Sequence, residues 1–142
     1  MRLANRVAIV TGAGSGFGQA IAERFAEEGA KVCIADLNGA RAERVAGEIG
    51  AAAIAVQGDV TKRTDVDRMV AETEAAFGPV DTVVNNAGYT HKNQPMLDVE
   101  EADFDKVFDV NVKAIYLMTM AVVPKMRERG FGVIVNVGST AG

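Results

Sequence analysis

Five short apolar runs limit what this chain can fold into: RVAIVT (6–11), KVCIAD (31–36), AAIAVQGD (52–59), DTVVNN (81–86) and GVIVNVGS (132–139). Each is rich in Val, Ile and Ala with little polar alternation, the pattern of strands covered on both faces. Longer segments of helical periodicity separate them. Ile21, Ala22, Phe25 and Ala26 form one apolar stripe closed by Gly29, and Ala42, Val45, Ala46 and Ile49 form a second closed by Gly50. Val66, Met69, Val70, Thr73 and Phe77 form a third. Strands and helices alternating in this way predict β-α-β units and a doubly wound parallel α/β sheet. No repeat or linker interrupts the series, so residues 1–142 are expected to form a single domain.

Crossovers between parallel strands are right-handed, which brings all five strand ends to one edge of the sheet. That edge receives Thr11, Gly12, Asp36, Asp59, Asn85, Asn86, Gly138 and Ser139. Ligands of open α/β sheets bind in the crevice beyond the carboxyl ends of the strands. The polar groups are thus gathered where a ligand would lie.

Composition narrows the partners. The net charge is -4, and the 15 Lys and Arg residues are scattered rather than clustered, so no footprint for nucleic acid is present. The N-terminal MRLANRVAIV has no small-residue cleavage site, and AIYLMTMAVVP is far shorter than the roughly 20 residues that span a bilayer. The expectation is a soluble, cytoplasmic protein with no membrane partner. Cys33 is the single cysteine and lies within KVCIAD, which predicts a small packed hydrophobe.

The first strand runs straight into TGAGSGFG and then a helix. Gly12, Gly16 and Gly18 allow a tight turn and close approach to a diphosphate, whose charge the amides and positive end of the helix would meet. Taken alone, the loop reads equally well as a tight turn without a ligand. Asp36 shifts the balance: it ends the second strand 24 residues after Gly12, where a carboxylate accepts hydrogen bonds from an adenosine ribose. The same charge would repel a 2′-phosphate. With Ser15 in the loop and Leu37 after the acid, NAD is expected rather than NADP.

Asn111 stands in FDVNVKAIY, on a stripe read as inward-facing from Phe104, Val107, Phe108, Ile115, Met118 and Val122. A buried amide there must find backbone or water partners. A structural role and a catalytic one remain equally open from spacing alone. Pro124 falls inside the same helical pattern and predicts a bend or a lost backbone bond. His91, the only histidine, lies in the loop after NNAG and reads as a surface loop residue.

The order TG-x-x-x-G-x-G, the acid at 36, GDV at 58–60, NNAG at 85–88, Asn111 and Ser139 together resemble a short-chain dehydrogenase/reductase. The likeness is to the single-domain branch that includes 3-oxoacyl-carrier-protein reductases, over its N-terminal part. The resemblance implies a Rossmann-type sheet of order 3-2-1-4-5 and a dinucleotide held by Gly12, Ser15, Gly16, Phe17, Gly18 and Asp36. It further implies that Asp59 and Val60 hold the adenine, and that Asn86, Ala87 and Gly88 line the cofactor cleft. Ser139 then matches the family's active serine, and Asn111 supports a water in its proton relay.

The family's catalytic tyrosine and lysine, Y-x-x-x-K, have no counterpart. Tyr89 is followed by Lys92 three residues on, and Tyr116 by Met120 four residues on. The chain is therefore expected to be the cofactor-binding part of a longer enzyme, itself poorly active or inactive. The implied activity is hydride transfer between NAD(H) and a small-molecule secondary alcohol or ketone, such as a 3-oxoacyl thioester, sugar or polyol. A non-catalytic dinucleotide-sensing module is the alternative, and a methyltransferase on the same sheet a more distant one. An unpaired fifth strand and a bare helix face predict a homo-oligomer, tetramer or dimer, of the full-length chain. No metal site is expected.

Overall fold

The computed structural model describes residues 1–139. Val7–Thr11 (β1), Lys31–Asp36 (β2), Ala53–Gln57 (β3), Thr82–Asn85 (β4) and Val133–Asn136 (β5) form one sheet of order β3-β2-β1-β4-β5. Every pair is parallel. All five apolar runs become strands; KVCIAD does so over its whole length, and the other four are trimmed by one to four residues where the chain turns away from its neighbours. Residues 140–142, which follow the last run, lie outside the described residues.

Helices cover both faces. Gly16–Glu27 (α1) and Gly39–Ile49 (α2) pack on one side, where Ala22, Ala42 and Val45 meet Val10, Val32, Ile34 and Val84. Arg63–Phe77 (α3) and Ala114–Arg129 (α5) pack on the other, where Val66, Met69, Leu117, Met118 and Val122 meet Ile9, Cys33 and Val83. The strand side chains alternate between these two cores, which is why the runs carry no polar alternation.

The long helix departs from expectation in three ways. Glu101–Phe108 (α4) runs into α5 through a π-helical turn at Asp109–Lys113. A π turn adds a residue, so the apolar pattern slips by about 100° across it. Phe104 and Phe108 therefore face outward, each 51% exposed, rather than joining Met118 and Val122 in the core, and Val107 and Ile115 are only half-buried. The joined run Glu101–Arg129 has 29 residues, enough by length and composition to cross a bilayer, which corrects the expectation from AIYLMTMAVVP. Its inner side nevertheless belongs to the sheet: Leu117, Met118, Val122 and Met126 are in one core with Ile9 and Val83.

Pro124 interrupts neither the helix nor its core face. Its missing N–H and ring cost about 3 kcal/mol, while each buried side chain of that face contributes about 1.5–3 kcal/mol. Burial wins, and the helix continues to Arg129, closed by Gly130 at φ 74.

Cys33 is fully buried between Ile9 and Met69 on the α3 side, as the sequence suggested. Burial pushes its thiol up to about 12, against the opposing hydrogen bond with Thr73. A thiol-specific reagent at pH 8 should therefore label no cysteine in the folded chain and one per chain in 6 M guanidinium; equal labelling rates in both would show an open core.

Candidate functional site

The site begins where β1 and β4 part. The chain leaves β1 toward β2 on one side and reaches β4 on the other, so the loops after these strands diverge and leave a crevice. Thr11 and Asn86 hold its floor. The Thr11 hydroxyl accepts from the backbone N–H of Asn86 at 3.1 Å and of Ala87 at 3.0 Å, and donates to the Val84 carbonyl at 3.4 Å. The Asn86 amide donates to the carbonyls of Thr11 and Gly12 at 3.1 and 3.2 Å. Asn85 instead points to β5, donating to Asn136 Oδ1 at 2.9 Å, its partner in register.

The glycine loop is held close against this floor. Gly12 has φ +62, and a Cβ there would lie 2.9 Å from Ala87 Cα. A Cβ on Gly18 would strike the Gly12 carbonyl and the Asn86 amide. Helix α1 thus starts against the crevice, with its Gly16, Phe17 and Gly18 amides lacking carbonyls of a preceding turn. Ser15 is its N-cap but makes no side-chain cap bond, and no acidic residue stands in the first turn. That helix end carries an uncompensated positive dipole suited to a phosphate.

Asp36 closes β2 beside the loop. Its Oδ2 accepts from the Gly14 N–H at 2.9 Å, and its Oδ1 from the Asn38 N–H at 2.9 Å. Each oxygen keeps a further lone pair for an outside donor. Asp36 does not cap α2; Asn38 does, accepting from the Arg41 N–H at 3.0 Å. Asp59, after β3, accepts from the Thr61 N–H at 2.9 Å and hydroxyl at 2.6 Å. Burial raises its carboxyl pKa, but the Thr61 bonds and the charges of Lys62 and Lys106 outweigh this and hold it below the usual carboxylate range.

Next to these groups lies a cavity of about 700 Å³. Among the residues expected at the site, Phe17, Val60, Asn86, Ala87, Gly88, Asn111 and Ser139 line it. Gly12, Ser15, Gly16, Gly18, Asp36 and Asp59 do not line this cavity; they follow the neighbouring ends of β1, β2 and β3. His91 lies in the loop as expected, yet it is half-buried and lines the cavity. Its Nδ1 is 2.7 Å from the Lys92 carbonyl, which only accepts, so Nδ1 carries the proton.

Asn111 sits within the π turn and bonds to the backbone, as its partly apolar surroundings require. Its Oδ1 accepts from the Tyr89 N–H at 2.9 Å and its Nδ2 donates to the Tyr89 carbonyl at 2.7 Å. The Lys106 ammonium lies 4.1 Å from the Tyr89 ring centre. Tyr89 is thereby held at ring and backbone by the α4–α5 run. The sequence offered no sign of this beyond an aromatic residue directly after NNAG. Asn136 was likewise missed, although its place opposite Asn85 in two adjacent strands could have suggested the pair. Among the described residues no group of His, Cys, Asp and Glu is placed to hold a metal.

This arrangement and the sequence agree with known proteins. The short chain dehydrogenase family profile matches residues 6–142, and the chain belongs to that family. It is 46% identical to a 4-formylbenzenesulfonate dehydrogenase from Comamonas testosteroni, covering 100% of this chain and 58% of that protein. It is 44% identical to a galactitol 2-dehydrogenase from Agrobacterium fabrum, covering 100% of this chain and 56% of that one. The crystal structure of a 3-ketoacyl-(acyl-carrier-protein) reductase from Brucella melitensis complexed with NADH superimposes with a TM-score of 0.94 at 50% identity. That match covers 98% of this chain and 59% of the other. The chain thus spans a little over half the length of these relatives.

Replacing Asn111 by Leu removes both bonds and leaves the Tyr89 N–H and carbonyl without partners. Urea denaturation should show a loss of about 2 kcal/mol; an unchanged midpoint would mean that the Asn111–Tyr89 pair does not persist in solution.

Proposed function

We propose that this chain is the dinucleotide-binding part of an NAD-dependent oxidoreductase that interconverts a secondary alcohol and a ketone. The observation that carries this reading is the open, amide-lined start of α1 packed against the β1–β4 crevice, with the Asp36 carboxylate beside it. Bound NAD would supply a hydride acceptor, and NADH a hydride donor. The Gly12–Gly18 loop, with Ser15, Gly16 and Phe17, would take the diphosphate. Asp36 would accept from the adenosine ribose hydroxyls, which favours NAD over NADP because a 2′-phosphate would meet its charge. Asp59 and Val60 would flank the adenine, and Asn86, Ala87 and Gly88 the far end of the crevice.

Ser139 would hydrogen-bond the reacting oxygen of the substrate. Asn111, already committed to Tyr89, would act by fixing that loop and by offering its remaining acceptor capacity to a relay water. The proton that leaves or joins the substrate oxygen needs the family's tyrosine and lysine, which these 142 residues do not include. Relatives named for galactitol and for a 3-ketoacyl group support a polyol, sugar or oxoacyl substrate. The same reading places the protein in the cytoplasm.

A homo-oligomer, dimer or tetramer, is part of this proposal. Phe104, Phe108, Val112, Tyr116 and Met120 follow one another at four-residue intervals along α4, the π turn and α5, each 45–60% exposed. Val133 and Val135 on β5, an edge strand of this sheet, and Val137 just after it are exposed. A second copy packing on the helical stripe would remove that apolar surface from water.

Calorimetry should detect NADH binding by the chain with weaker NADPH binding, and Asp36→Ala should narrow the difference about tenfold or more, the value of one charge contact. Absence of NADH binding would overturn the reading, and undiminished discrimination would show that Asp36 does not set the preference. In the full-length enzyme, Phe108→Glu should lower the sedimentation mass to that of a smaller assembly; an unchanged mass would exclude this face as the interface.

A further inference from the structure

Arg44 lies on α2 and does not line the cavity. Its Nη2 donates to the Gly14 carbonyl at 3.1 Å and to Gln19 Oε1 at 3.3 Å. Its Nη1 donates to Glu48 Oε1 and Oε2 at 3.2 and 3.4 Å. Gln19 is itself oriented, since its Nε2 donates to Glu23 Oε1 at 2.7 Å. The guanidinium is therefore aimed at the glycine loop by a carboxylate one turn along its own helix and by an amide on α1.

The Gly14 residue is buried and held on its other side as well, where its N–H donates to Asp36 Oδ2. Among the described residues no peptide bond is cis. A trans peptide directs its carbonyl and its N–H to opposite sides. Drawing the Gly14 carbonyl toward α2 thus turns the Ser15 N–H away from α2. With the opposite orientation of this peptide, a carbonyl oxygen would face the phosphates in place of an amide. A glycine at position 14 gives the backbone freedom to adopt either.

We propose that Arg44 is a positioning residue for the dinucleotide loop: it fixes the Gly14–Ser15 peptide so that the Ser15 amide joins the donors to the diphosphate. The proposal rests on the dinucleotide reading above. It acts on phosphate-bearing ligands, and it assigns to α2 a part in cofactor binding beyond carrying the residues that follow Asp36.

The test uses the chain itself with ADP-ribose as the probe, measured by calorimetry and by amide hydrogen exchange at Ser15. Arg44→Met should weaken ADP-ribose binding about tenfold, the value of one lost charge-assisted hydrogen bond, and Arg44→Lys should restore most of it. Ligand-induced protection of the Ser15 amide should be present in the unmodified chain and lost in Arg44→Met, while protection at Gly16 to Gly18 remains. If Arg44→Met does not fold, the double variant Gln19→Ala, Glu48→Ala removes the two groups that aim the guanidinium and carries the same expectation. Unchanged affinity, or weakened affinity with the Ser15 amide still protected, would overturn the proposal. Failure of the unmodified chain to bind ADP-ribose would instead overturn the dinucleotide reading itself.

Discussion

The architecture of this chain depends on the lock between Thr11 and Asn86. Two parallel strands that send their chains in opposite directions must leave a gap at their ends, and that gap exposes backbone groups with no ladder partner. Thr11 and Asn86 answer this with three side-chain bonds at the Thr11 hydroxyl and two from the Asn86 amide. The floor of the crevice is therefore satisfied without being filled. Because the Asn86 amide also reaches the Gly12 carbonyl, the same lock fixes where the glycine loop starts. Any side chain at Gly18 would displace it.

From that floor the site divides into halves of different burial. The half built on β1, β2 and the start of α1 rests on strands buried over almost their whole length: Val7–Thr11 entirely, and Val32 to Ala35 of β2. Its loop is tied by Asp36 from one side and Arg44 from another. The half that carries Asn111 and Ser139 rests on the π turn, on β5 and on the segment leaving it, where Val112, Val133, Val135 and Val137 are exposed. A pre-formed nucleotide half and a less covered substrate half follow from this difference in packing. Rigid placement of amides suits an anion that is always the same, whereas the covering of the other half decides which substrate it can enclose.

The sequence made most of the sheet legible because strands buried on both faces have few alternatives. KVCIAD could only be central, and it lies between β1 and β3 with four consecutive buried residues. The glycine loop and Asp36 were legible for a related reason: tight turns and lone strand-end carboxylates restrict residue type strongly. The outward turn of Phe104 and Phe108 was not legible. A π turn leaves no compositional mark, and the 3.6-residue count that places Phe108 beside Ile115 holds only if every turn is an α turn. Tyr89 and Arg44 escaped for a different reason, since both act on backbone atoms. A bond to the Tyr89 peptide or the Gly14 carbonyl constrains the geometry of its partner but not its side chain.

The π turn also explains why an amide stands at Asn111. Widening the helix there shifts the register of its backbone bonds and rotates the next side chains relative to the sheet. Asn111 sits at the centre of that shift and faces the loop after β4, where both its oxygen and its nitrogen find the Tyr89 peptide. An aliphatic residue of similar volume would pack against Ala114 and Ile115 but would leave two backbone groups unpaired in a partly buried gap. The amide, with one donor face and one acceptor face, imitates the edge of a strand, and so a helix continues the hydrogen bonding that β4 gives up at Asn85. The distortion in the helix and the polar residue inside it are two parts of one solution: closing a crevice side without filling it.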